Sequence, residues 1–185
     1  MVRNFDSRPL APELVERILA NALRGPSAGF TQGEELLVLE GREQTGRYWD
    51  ACFPAHRRSG FRWPGILEAP LLIVPLGSRE AYLDRYAEAD KGWIDRDPSR
   101  WPVAYWDVDA GFAALLALLT AVDNELGAVF FRVFQPAALR AEFGIPDGFS
   151  PVGTIAVGHR LPDEPSPSVA RGRRPPTEVV HRGGW

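Results

Sequence analysis

Few side chains in this 185-residue chain have types and spacing suited to covalent chemistry. Cys52 is its only cysteine, so no intrachain disulfide or cysteine zinc site can form, and a buried, idle thiol is expected. His56, His159 and His181 lie far apart, and each is followed by an arginine, whose charge opposes metal binding. No G-x-S-x-G elbow, Walker A loop or G-x-G-x-x-G fingerprint occurs. The acids between Glu88 and Asp97 do not follow the spacing of a calcium loop that ends in a bidentate glutamate. No metal site and no catalytic side chain is expected.

The remaining residues suit binding. "GPSAGFTQG", Gly25 to Gly33, offers the Ser27 and Thr31 hydroxyls, the Gln32 amide and unobstructed backbone N–H groups. Such a loop can hydrogen-bond the polar edge of a flat heterocycle or a polyol chain. Arg3 near one end, with Arg171, Arg173 and Arg174 near the other, could clamp a phosphate. From Ser78 to Trp106 the chain is rich in charge and rings: Tyr82, Tyr86, Trp93, Trp101, Tyr105 and Trp106. An irregular stretch of that length is either a binding loop or lid, or a capping excursion with its rings packed on the core.

Several elements must position these groups. "PELVERILANALR", Pro12 to Arg24, has proline at the first helical position and apolar residues at helical spacing, which predicts a helix. "ELLVLEG", Glu35 to Gly41, reads as a buried strand, Glu43 to Phe53 as a helix, and "APLLIVPLG" as a second buried strand that ends or turns irregular at Pro75. A short helix is expected over Glu80 to Glu88. The stretch from Asp107 to Gly127 reads as a central helix buried all round, capped by Asp107 and closed by Gly127. "AVFFRVF" predicts a strand, "PAALRAEFG" a helix from Pro136 stopped at Gly144, and "PVGTIAVGHR" a last core strand. Helices and strands interleave without regular βαβ alternation, so the class is α+β. Residues 1–160 form the core, with an aromatic insert at about 78–106. The Pro- and Arg-rich stretch 161–185 cannot fold alone, and its terminal Trp185 suggests docking on another surface.

Apolar residues make up 45 % of the chain and the net charge is −3, which gives no reason to expect nucleic acid or an anionic membrane as partner. The start has no apolar leader-like run, and the longest apolar run, Ala110 to Val122, is short for a bilayer. A cytoplasmic location is the expectation.

Taken in order, these pieces resemble the FMN-dependent nitroreductase family. "VRNFDSRPLAPELVERILANALRGPSAG" is similar to the family's opening, and "GIPDGFSPVGTIAVGHR", "RGRRPPTEVV" and the closing Trp185 are similar to its end. The resemblance implies an α+β sandwich with a central antiparallel or mixed sheet flanked by helices. It also implies an intertwined homodimer with FMN at the interface and an arm that extends onto the partner subunit. Arg3 then approaches the phosphate or ribityl chain, while Pro26, Ser27, Ala28, Gly29 and Gln32 line the flavin. Phe130, Phe131 and Arg132 lie near the ring edge, and Arg171 and Arg173 complete the phosphate site. Phe30, Trp101 and Tyr105 are the expected substrate-pocket residues. The implied reaction passes hydride from NAD(P)H through flavin N5 to a nitroaromatic, quinone or other conjugated acceptor, which needs no side-chain nucleophile.

The chain departs from that pattern in four places. The usual Arg-Arg-Ser does not precede Arg3, Phe30 stands where asparagine is common, "GEE" follows Gln32 in place of Pro-Trp, and Arg132 replaces Gly or Glu. Two further readings therefore stand beside the first: a specialised tailoring or deazaflavin-linked member, and a non-catalytic flavin-binding dimer.

Overall fold

The computed structural model describes residues 1–185. In chain order the elements are β1 (Phe5–Asp6), α1 (Pro12–Ala22), β2 (Glu34–Glu40), α2 (Gly41–Cys52), β3 (Leu71–Ser78) and α3 (Arg79–Ala87). They continue with α4 (Tyr105–Asp123), β4 (Gly127–Phe131), α5 (Pro136–Phe143), β5 (Phe149–Pro151), β6 (Thr154–Arg160) and α6 (Pro176–Val179). All strand pairings are antiparallel, along the path β1-β6-β3-β2, with β4 also on β6 and β5 also on β3. This is the expected α+β class.

Period-two alternation sorts the sheet's side chains onto two faces. Leu72, Val74, Val129 and Ala156 join Tyr48, Trp49, Cys52 and Leu139 in one core, beneath α2 and α5. Leu71, Ile73, Ala128, Ile155 and Val157 join Val15, Ile18, Ala114, Ala117 and Ala121 in the other, beneath α1 and α4. The molecule is thus helix pair, sheet, helix pair. Two buried hydroxyls cross one layer, Tyr48 and Thr154 at 2.7 Å, and so satisfy each other where water is excluded. Cys52 is fully buried, and that burial pushes its thiol up to about 12, as suits an idle side chain.

Pro75 lies inside β3, where that strand's neighbour changes. Leu71–Ile73 pair with β6 and Leu76–Ser78 pair with β5, so the missing N–H falls in the gap between them. Gly144 closes α5 at φ 65°, the left-handed stop predicted for it.

The structure corrects the expectations for α4. The helix starts at Tyr105 after Ala104, which places Asp107 in the first turn as an acidic residue and not at the cap. Glu125, at φ 61°, makes the exit turn, and Gly127 opens β4, where a Cβ would press on Val2, Phe5 and Arg160. Nor is the helix buried all round. Its small side chains Ala110, Ala113, Ala114, Ala117 and Ala121 face the sheet and α1, whereas Phe112, Leu115, Leu119 and Val122 are 39–61 % exposed. Alanines let the backbones approach closely, so the bulky side chains are turned outward.

Residues 161–185 form a short 3-10 turn (Pro167–Arg171) and α6, exposed almost throughout. Trp185 stacks on His181 of the same segment, with centroids 4.2 Å apart, and touches no core element.

Candidate functional site

The Gly25–Gly33 loop leaves α1 and turns back into β2. Gly29, Phe30 and Gln32 all have positive φ, at 65°, 54° and 52°. Four of its backbone donors, expected to be free, are already engaged. Ala28 N–H donates to Asp109 at 2.8 Å, Gln32 N–H to Ser27 Oγ at 2.9 Å, and the Phe30 and Thr31 N–H groups to Ser27 and Ala28 carbonyls. The Thr31 hydroxyl donates to Ala28 O at 2.6 Å. The loop is therefore partly held by its own hydrogen bonds, with the Ser27 and Gly29 N–H groups not among the engaged donors. What it presents outward is the Gln32 side chain and the Phe30 ring, which is 76 % exposed.

The aromatic insert supports that loop. A Cβ on Gly29 would come 2.7 Å from the Tyr86 ring, and one on Gly33 equally close to Tyr82, so both positions need glycine for close approach. Arg85 Nε donates to Gly29 O at 3.0 Å while its guanidinium forks onto Asp90 at 2.7 and 2.8 Å. Trp101 sits between Tyr82, Tyr86, Trp93, Tyr105 and Trp106 in edge-on contacts of 4.4–6.1 Å. Trp101 thus lies in a packed cluster behind the loop, with Tyr105 at its edge and Phe30 on the loop's outer side.

A carboxylate pair lies at the base of this assembly. Asp109, 3 % exposed, accepts from the Tyr82 hydroxyl at 2.7 Å as well as from Ala28 N–H. Burial pushes the Tyr82 hydroxyl well above its ordinary value, and hydrogen bonding to Asp109 raises it further. Glu34 has its own carboxyl raised by burial, with the Asp109 charge a lesser cause, and its Oε2 is buried without a partner. None of these side chains stood out in the sequence. An Asp on an apolar helix was the available signal for Asp109, but only the fold places Ala28 and Tyr82 on it.

The second region is an aromatic cleft of about 260 Å³ at β4, lined by Arg3, Trp49, Phe61, Trp63, Ile66, Val129, Phe130, Phe131 and Phe134. It brings together three residues that the resemblance had grouped, Arg3, Phe130 and Phe131. Trp49 and Phe131 are stacked at 5.7 Å, and the Arg3 guanidinium lies 5.0 Å over Trp63. Arg132 is exposed and sits 5.4 Å over Phe134. The indole Nε1 of Trp49 and of Trp63 are both buried without partners. Arg3 also lines an adjoining groove of about 470 Å³ with Met1, Arg160 and Ser166. Its backbone N–H there donates to Asp163 at 2.7 Å.

Arg171 and Arg173 stand apart from Arg3, in a polar groove of the arm with Ser168 and Arg174. Within one chain the expected cofactor residues therefore occupy three places: the loop with Pro26–Gln32, the cleft with Arg3, Phe130 and Phe131 (Arg132 beside it), and the arm. No group of three or more His, Cys, Asp or Glu side chains is placed to hold a metal ion.

The donor set of the cleft fits a flat heteroaromatic ring with acceptor atoms on its edge. Its walls are rings, its orphaned donors are two indole N–H groups, and its only charged lining residue is an arginine. The adjoining groove, with Arg3 and Arg160, suits an attached anion.

The nitroreductase family model matches residues 1–159. Among solved structures, a nitroreductase family protein from Clostridium difficile is similar at TM-score 0.72 and 23 % identity, over 100 % of this chain and 93 % of that one. A nitroreductase from Exiguobacterium sibiricum, solved in complex with FMN, is similar at TM-score 0.75 and 17 % identity, over 98 % and 91 %. A protein from Parabacteroides distasonis bearing the name NADH dehydrogenase/NAD(P)H nitroreductase gives 0.71 and 20 %, over 100 % and 92 %. At these identities the structural likeness is one of fold.

Proposed function

The chain belongs to the nitroreductase family, and from that premise we propose that it is an FMN-dependent oxidoreductase acting as a cytoplasmic homodimer. The observation that carries the reading is the aromatic cleft at β4, where Arg3, Phe130 and Phe131 meet two unpartnered indole N–H groups. FMN, when bound, supplies two-electron transfer between NAD(P)H and a nitroaromatic, quinone or other conjugated acceptor.

The protein's part is to bind and orient. Phe130, Phe131 and Trp49 give the ring an apolar wall, and Arg3 and the indole donors meet its acceptor edge. Arg3 is also placed to stabilise negative charge on that edge. A dimer supplies the remaining residues. The exposed stripe Phe112, Leu115, Leu119 and Val122 adjoins the loop, since Gly25 packs on Phe112 and Leu116. Docking two such stripes would bring the Pro26–Gln32 segment of one subunit toward the other's cleft, with Arg171 and Arg173 arriving on the arm.

The test is cofactor binding. The purified protein is expected to be yellow, to release FMN identifiable by mass, and to melt at a higher temperature with FMN than without. A colourless protein whose melting temperature FMN leaves unchanged would falsify the proposal.

A further inference from the structure

Ten of the chain's twenty arginines form no ion pair, and three of these, Arg3, Arg62 and Arg132, stand at or beside the aromatic cleft. Arg47, Arg58, Arg85, Arg96 and Arg100 each hold a carboxylate within 3.0 Å, as the ordinary surface of an acidic protein provides. Arg62 and Arg132 hold none. Each lies over a ring that lines the cleft: Arg62 at 5.5 Å from Trp63, and Arg132 at 5.4 Å from Phe134. No acidic residue lines the cleft itself. Asp163 and Glu164 share a neighbouring groove with Arg3 and Arg62 but form no ion pair with either.

A guanidinium resting on an aromatic face keeps its in-plane N–H groups free. It remains able to fork onto a carboxylate while the ring holds it in place. Two such groups beside rings that line an apolar slot suit a molecule that is flat at one end and anionic at the other. A neutral arene would bury the same apolar area there but leave both cations unanswered.

Resting on the reading that FMN occupies the cleft, we propose that the acceptor is a planar aromatic anion, an arene carboxylate. Arg62 and Arg132 are its specificity-determining residues. Its ring lies on the cofactor at the cleft mouth, and its carboxylate accepts from one or both guanidinium groups. Nothing is transferred to or from the arginines, which act only by binding.

The test uses non-reducible isosteres, so that binding is read without turnover. FMN-loaded protein is titrated with 2-naphthoate and with 2-naphthamide, following the perturbed visible spectrum of the bound flavin. Naphthoate is expected to bind at least about tenfold more tightly at low salt, with the gap narrowing as ionic strength rises. Arg62→Gln and Arg132→Gln should each shrink the ratio of naphthoate to naphthamide affinity in FMN-loaded protein; Arg62→Lys should restore much of it. Equal affinities in the unsubstituted protein overturn the proposal, as does a gap that survives both glutamine variants. So does displacement of FMN by naphthoate, which would assign the anion preference to the cofactor site. The two readings fail separately: protein that retains no FMN removes both, whereas FMN-loaded protein indifferent to charge removes only the acceptor class.

Discussion

Phe30 holds a left-handed backbone at φ 54° with its ring 76 % exposed, a conformation that disfavours bulky side chains. The Phe30 N–H bond to Ser27 O and the Arg85 bond to Gly29 O hold the turn, while the ring is left outward. Phe30→Asn, an αL-tolerant change, should stabilise the protein in denaturant melts by about 1 kcal/mol and leave FMN retention intact. Lower stability with unchanged FMN affinity would make Phe30 an ordinary packing residue. Glu34 carries a different strain, since burial lifts its carboxyl above the usual 4.5. Between the unfolded and folded values the native state binds more protons, so stability falls as pH rises through that window and stays reduced above it. Glu34→Gln should therefore raise the melting temperature at pH 7, with the advantage vanishing below pH ~4. An equal advantage at both pH values would show that charge is not the cause.

At the scale of elements, the 25–33 loop, α3, the aromatic insert and α4 act as one assembly. Its join is Asp109, which holds Ala28 N–H and the Tyr82 hydroxyl together. Asp109→Ala leaves a buried hydroxyl and an amide unpaired, and is expected to cost about 3 kcal/mol in chemical unfolding. Asp109→Asn, which keeps an acceptor, should cost markedly less. Hydrogen exchange at Ala28 should rise in the alanine variant before exchange in β3 does. Uniform loss of protection across the sheet would instead mean that Asp109 supports the whole core.

At the scale of the molecule, the outward stripe on α4 and the exposed arm are the surfaces that the proposed dimer would bury. The natural solution for a self-complementary apolar face is a two-fold dimer. The protein should run at twice its 20.5 kDa mass in light scattering. Leu115→Glu with Leu119→Glu should yield a folded monomer, its circular dichroism intact, that no longer retains FMN. A monomeric unsubstituted protein at micromolar concentration would remove the dimer, and with it the account of how the three separated groups of residues meet.

Local pattern determined most of the elements, because proline at helix starts, glycine at stops and apolar periodicity act over a few residues. Pro12, Pro136 and Gly144 fixed three helix boundaries, and "LLIVPLG" fixed β3. The resemblance at the two chain ends supplied the family, and the fold alone set Arg3 beside Phe130 and Phe131. Tertiary structure alone decided which face of α4 goes inward, because alanine and leucine are both apolar and only the closeness of α1 and the sheet selects the smaller. It also decided that Ser27 and Thr31 serve the loop itself, that Trp101 backs it, and that Trp49 and Trp63 belong to the cleft with Arg3. Those residues are far apart in sequence, and burial, orphaned donors and unpaired charge are properties that a side chain acquires only from its neighbours in space.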